Sequence, residues 1–412
     1  MRNRIGRLGD GLETSTQLAA SCLLGGTAGW SLTATGAAAS RLADTYHVGL
    51  AGVGALTSAF AVTYAAFQLP AGALIDRFGV RRAGGSGLVL VAVAYSIGAL
   101  TPSFTLALVC RAAAGVGASM CYVAGAEAAR RSGTGTMGQG LFGGFAAAAG
   151  GVALVVVPGT VGLLGWRASW LTCVAIACVG LAVLLSPATT AFAAGRFDRP
   201  VRPEMPRGGT VLADAQLYRL AAVHTVTFGG SIVLSNWTAL ILQRTWGMTG
   251  AAAEGTASLI LLTTVVSRPA GGYLARRHPL RMRGWTFGSL LIGGAAVLAL
   301  AHRGPFAVAL GAAVILGVAS GLPFAATFAS AQRRHAERPA AAIGLMNANA
   351  NFLIVIGTPL VGAALEGGHT ALTLAGFAVL WVAPLLALPK YDLAVNDKDD
   401  VEESSIGTAR SD

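Results

Sequence analysis

The chain has 412 residues, of which 54% are hydrophobic and only 11% charged, and its formal net charge is +11. Soluble proteins carry about a quarter charged residues, so the composition excludes an ordinary soluble fold and points to lipid. The basic residues are dispersed along the chain and form no single patch, which argues against nucleic acid as a partner. A hydrocarbon core about 30 Å thick takes roughly 20 apolar residues per helix, so this length accommodates about twelve spans.

Arg2, Arg4 and Arg7 precede the first apolar run, which begins near Leu18. Residues 1–17 are expected to form a cytoplasmic tail, and the run to be retained as a span, since no cleavage site follows it. Further runs begin near Leu50, Gly84, Phe104, Gly138 and Ala168 and complete an N-terminal six-helix unit over 18–190. These runs lack the ten-residue alternation of an outer-membrane barrel, so the spans are helical. Proline and arginine then crowd 196–209, where no apolar stripe can form, and a cytoplasmic linker is expected over 191–218. Runs from Leu220, Glu254, Gly284, Pro305, Ala342 and Thr370 make a second six-helix unit over 219–389. The acidic stretch 390–412 has too few apolar residues to fold alone and is expected to be a disordered cytoplasmic tail.

Charge sets the orientation. With the N-terminus inside, the inner connections carry sixteen arginines, within 77–82, 130–131, 196–207, 276–283 and 333–338. The outer ones carry four: Arg41, Arg167, Arg244 and Arg303. The positive-inside rule therefore predicts both termini in the cytoplasm. Cys22, Cys110, Cys121, Cys173 and Cys178 all fall inside spans without metal-site spacing and read as small apolar packing residues. No metal site, cofactor motif, hydrolase elbow or phosphate loop is present, so an enzyme is not expected.

The segment GALIDRFGVRR carries Gly72, Leu74, Asp76, Arg77, Gly79, Arg81 and Arg82 at the inner end of the second span. This spacing resembles the loop that follows the second helix in the major facilitator superfamily. Pro70-Ala71-Gly72 with Arg77 recurs as Pro269-Ala270-Gly271 with Arg276, at the inner end of the second span of the other half. Arg111-x-x-x-Gly115-x-Gly117-Ala118 is similar to the family's fourth-helix motif, with Ala114 where glutamine is frequent. The resemblance implies an all-α integral membrane fold of twelve transmembrane helices in two pseudo-symmetric six-helix bundles. It also implies a monomeric secondary transporter in the plasma membrane, with a small-molecule substrate, a coupling proton and no cofactor. Alternating access about a midplane site goes with that architecture. A proton-coupled multidrug or metabolite efflux antiporter and a non-transporting sensor on the same scaffold are the alternatives.

Asp76, Arg81 or Arg82, and Glu127 are expected to form a cytoplasmic gate, because a carboxylate stabilises the positive end of a facing helix. Arg111 lies two turns inside the fourth span, where a buried guanidinium is costly unless paired. Arg268, with Gln68 at the matching place in the first half, is the second intramembrane arginine. No Asp or Glu falls near mid-membrane, so an anion or a neutral polar cargo is favoured over a cation. His224 is the candidate proton carrier. Trp30 and Thr33, Tyr64, Asn236 and Trp237, and Asn347 and Asn351, the last two on one helical face, are the candidate cargo contacts. The fifth span lacks the internal Gly-Pro of drug/proton antiporters, its proline coming only at Pro158.

Overall fold

The computed structural model describes residues 2–132, 134–186, 211–336 and 339–393; the linker residues 191–210 and the tail 394–412 lie outside the described residues. Every regular element described is helical. Among the described residues eight helices are long and apolar enough to cross a membrane, and one of them, Met137–Leu185, contains two successive runs.

The first half consists of α1 (Arg2–Ala37), a short α2 (Ala39–Tyr46), α3 (Leu50–Ala66), α4 (Gln68–Phe78), α5 (Val80–Gly98), α6 (Phe104–Arg131), α7 (Gly135–Leu164) and α8 (Ala168–Leu185). The second comprises α9 (Ala215–His224), a π-helical turn (Thr225–Gly230), α10 (Ser231–Trp246), α11 (Gly250–Leu262), α12 (Thr264–Arg277), α13 (Met282–Ala299), α14 (Phe306–Gly321), α15 (Phe324–Arg334), α16 (Pro339–Glu366) and α17 (Thr370–Val382). Joining the pieces that continue across a break gives six helical runs per half, in keeping with the twelve-span expectation. The second run of each half is broken midway, at Phe67 between α3 and α4 and at Thr263 between α11 and α12.

Local chemistry sets the ends. Gly79 turns the chain between α4 and α5 at φ 83°, a conformation that glycine adopts without steric cost. Gly247, at φ 68°, closes α10 in the left-handed form. Ser103 caps α6 by accepting from the Leu106 amide. Asp214 caps α9 by accepting from the Gln216 amide at 2.9 Å.

Two expected boundaries move. Asp214 and the helix from Ala215 fall inside the stretch 191–218 assigned to the linker, and Val211 is already buried, so the second half starts earlier. The tail does not begin at 390. Gln216 donates to the Lys390 carbonyl at 2.7 Å, the Tyr391 hydroxyl lies 2.8 Å from that of Thr286, and the Asp392 amide donates to Ser330 at 2.8 Å. Leu393 is buried beside Met282, and the segment straps the Arg-rich ends of α9, α13 and α15 together. Composition missed this because one tyrosine and one leucine anchor a segment that is otherwise polar. The helical backbone of α1 also reaches back through the stretch 1–17 to Arg2.

Candidate functional site at the interface of the halves

The halves meet chiefly along α3 with α16, and along α7 with α11 and α12. Away from the Arg-rich end the contact is backbone to backbone. A Cβ on Gly54 would lie 2.6 Å from the Pro359 Cα, and one on Gly362 2.7 Å from the Leu50 carbonyl oxygen. Glycine at Gly151 lets α7 approach the Ser258 carbonyl in the same way. Ser58 donates to the Val355 carbonyl at 2.6 Å, and Asn236 donates to the Leu32 carbonyl at 3.3 Å. Glu366, at the end of α16, accepts from the Leu50 amide at 2.6 Å and so places a carboxylate on the positive end of α3. This end of the interface is closed.

At mid-depth the interface becomes polar. Arg268 sits nine residues from Arg277, the last residue of α12, or about 14 Å along the helix, half the thickness of a hydrocarbon core. Its guanidinium is buried, lies 4.1 Å over the Phe324 ring and 5.8 Å from Phe228, and donates to the Gly143 carbonyl of α7. Its Nε and Nη2 have no hydrogen-bond partner among the described residues. Cation–π contact contributes about 0.5–2 kcal/mol, against an effective burial penalty of several kcal/mol for the ion.

His224 faces the same rings, stacked on Phe228 at 5.2 Å and edge-on to Phe328 at 5.0 Å. Asn347 donates through Nδ2 to Gln68 Oε1 at 2.8 Å, which leaves its Oδ1 to accept from His224 Nε2 at 3.0 Å. That assignment makes Nε2 the protonated nitrogen and Nδ1 the free acceptor. A directional chain thus runs from the seventh run through the eleventh to the second, linking both halves. The π-helical turn that follows His224 directly places Phe228 beneath the imidazole; such turns frequently accompany functional positions.

A cavity of about 150 Å³ opens from this chain toward the Arg-rich end. Gln68, Asn347, Gln139, Gln332, Tyr122 and Phe328 line it, with Glu127 and Arg130 toward the mouth. Gly72 also lines it, and a Cβ there would meet nothing within 4 Å, so the space beside this part of α4 is open. Drug-sized ligands occupy roughly 300–1,000 Å³; this space admits a small solute.

The Major Facilitator Superfamily profile matches residues 21–359, most of both halves. The chain belongs to the Major Facilitator Superfamily. It is therefore a membrane transporter of that superfamily, and the resemblance seen around Gly72 to Arg82 holds across the chain. Comparison with curated proteins gave no match.

In this facilitator only some of the expected site residues converge. Gln68, His224 and Asn347 are joined directly, and Arg268 shares their aromatic surround. Asn351 lies one turn further along, donating to the Asn347 carbonyl. Gln68 and Asn347 line the cavity, whereas Arg268 and His224 lie behind its wall and do not line it, and Arg111 is not in it either. Arg111 is buried within the first half, donating to the carbonyls of Leu56 at 3.1 Å and Ser31 at 2.8 Å and to the Tyr95 hydroxyl at 2.6 Å, with the Phe60 ring at 4.7 Å. Trp30 donates to Thr172 and Thr33 to the Gly150 carbonyl, so both tie helices inside the first half. Tyr64 stacks on Phe60 and meets Tyr122 edge-on. Asn236 and Trp237 lie in the closed part of the interface, Trp237 donating to the Thr358 carbonyl.

Of the expected gate residues, Glu127 is not joined to Arg81 or Arg82. Glu127 pairs with Arg130 and Arg131 at 2.6–2.7 Å, whereas Arg81 and Arg82 line a groove on the outer surface of the first half. Arg77 lies over the Phe78 ring, and the Asp76 side chain is outside the described residues. Sequence reasoning missed Tyr122, Gln139, Phe324, Phe328 and Gln332. Phe324 and Phe328 stack at 4.4 Å, and their i, i+4 spacing after Pro323 was the available signal.

Proposed function

We propose that the chain moves a small anionic or neutral polar solute across the plasma membrane by alternating access, with its Arg-rich end and both termini in the cytoplasm. The observation that carries the reading is Arg268: a guanidinium at mid-depth between the halves, held by one carbonyl and a ring, with no carboxylate among its partners. Such a group attracts anions and repels cations. Closed backbone packing at one end and a cavity open to the other support an inward-facing member of a two-state cycle. The His224–Asn347–Gln68 chain supports proton coupling, because a proton on Nδ1 would place a second cation beside Arg268 and favour anion binding.

Counterflow in proteoliposomes, across a panel of small anions, sugars and organic cations and with or without a proton gradient, tests this. Uptake of an anion or neutral solute is expected, falling at least tenfold in Arg268→Ala and partly restored in Arg268→Lys. His224→Gln is expected to remove acceleration by the proton gradient while leaving exchange. Uptake confined to organic cations would refute the charge preference.

A further inference from the structure

Outside the central site, a groove of about 1070 Å³ lies on the outer side of the first half. Its walls come from α4 (Leu74, Phe78), α5 (Val89, Val93) and α8 (Leu181, Leu185), with Met120 of α6 at its floor. Val89, Val93 and Leu185 are 46%, 50% and 57% exposed, so the groove presents an apolar surface to whatever surrounds the protein. Gly85 replaces a side chain between the walls, where a Cβ would still leave the nearest atom of Leu184 at 3.6 Å.

The two ends of the groove differ. Its apolar end reaches Val93, and its other end is lined by Arg81, Arg82 and Ser86. From Arg82 to Val93 is eleven residues of helix, about 16 Å. Neither Arg81 nor Arg82 has a hydrogen-bond or ion-pair partner among the described residues, whereas Arg130 and Arg131 on the neighbouring helix share Glu127. A pair of guanidinium groups with no partner among the described residues, placed where an apolar trench meets the Arg-rich rim, matches a molecule with an anionic head and a long apolar tail. Basic pockets between transmembrane helices on this side of a membrane take acidic lipid head groups, and the guanidinium fork suits a phosphodiester.

We infer that this groove is a binding site for an anionic phospholipid of the inner leaflet, with the phosphate between Arg81 and Arg82, Ser86 donating to it, and one acyl chain lying along Val89 and Val93. The site is separate from the transport cavity, and occupying it would cross-link α4, α5 and α8 at the end where the first half must move against the second.

Native mass spectrometry of the full chain, released from nanodiscs of phosphatidylethanolamine mixed with phosphatidylglycerol, tests the assignment. Wild-type protein is expected to retain phosphatidylglycerol in preference to phosphatidylethanolamine. In R81A/R82A the retained phosphatidylglycerol should fall at least tenfold, while R81K/R82K keeps a substantial part of it and the charge-matched R276A/R277A keeps all of it. A second variant, Gly85→Trp, fills the trench without altering charge and should lower retention as well; monodisperse elution of each variant confirms folding. Equal retention of the two lipids, equal loss in R276A/R277A, or full retention in Gly85→Trp would overturn the proposal. Displacement of the lipid by inorganic phosphate alone would also overturn it, since the trench would then contribute nothing.

Discussion

Arg111 and Arg268 look alike in the sequence, each a lone arginine in an apolar run, and the structure gives them different chemistry. Arg111 donates from Nε and Nη1 to carbonyls and a phenol within its own half, which leaves only its Nη2 without a partner among the described residues and fixes three helices around it. Arg268 reaches across to α7 for its single carbonyl and rests on a phenylalanine. Composition and spacing locate both residues but cannot say which carbonyls the fold brings near, because that depends on packing between runs far apart in the chain. Asp214 makes a related point at the Arg-rich rim. Its carboxylate pairs with Arg334 and with His335 at 2.9 Å and caps α9, and the Arg334 guanidinium foremost holds its carboxyl down at about 2. A carboxyl depressed in the folded state stabilises above its ordinary value near 3.8, and that contribution is lost as the pH falls through the folded value. Comparing Asp214→Asn with wild type by thermal melting should therefore show a constant deficit above about pH 4 that shrinks as the pH approaches 2. Asparagine still caps the helix, so the deficit reports the ion pairs.

Among the elements, the broken second runs and the π-helical turn were not legible in advance. The break at Phe67 directly follows Ala66, whose carbonyl loses its partner because Pro70 has no N–H, whereas the break at Thr263 lies six residues before Pro269 and is not placed by it. The repeated Pro-Ala-Gly pattern marked the right runs without marking the bends. The close approach of α3 and α16 was not legible either, because Gly54 and Pro359 meet only through packing of runs far apart in the chain. Gly54 meets Pro359 so closely that a larger side chain must separate the halves. Gly54→Leu should hold the closed end apart: a cysteine at Ser58, which faces Val355 across the seam, should label several-fold faster with a membrane-impermeant maleimide applied from outside. The terminal strap is a second element with a definite role. Tyr391→Phe removes the hydroxyl shared with Thr286 and should lower stability by about 0.5–1.5 kcal/mol, read as a fall in melting temperature without loss of solute binding.

For the whole molecule, the helical class, the two halves and the family followed from hydrophobic run length and one charged loop, because lipid imposes both requirements directly. The central site was legible in part. Its polar members stood out against apolar neighbours, whereas its aromatic surround looked like ordinary core. The two ends of the interface are also built from different forces. The closed end relies mainly on main-chain surfaces pressed together, with the Glu366 carboxylate bridging to α3, whereas ion pairs crowd the opposite rim. Dissolved ions screen attraction between exposed charges, most fully beyond a Debye length of about 10 Å at 0.1 M, but leave dispersion between buried surfaces untouched. Titrating potassium chloride should thus alter how readily the arginine-bearing rim comes together while the sealed face stays as it is. A transporter so constructed would feel the salinity of one compartment more than that of the other.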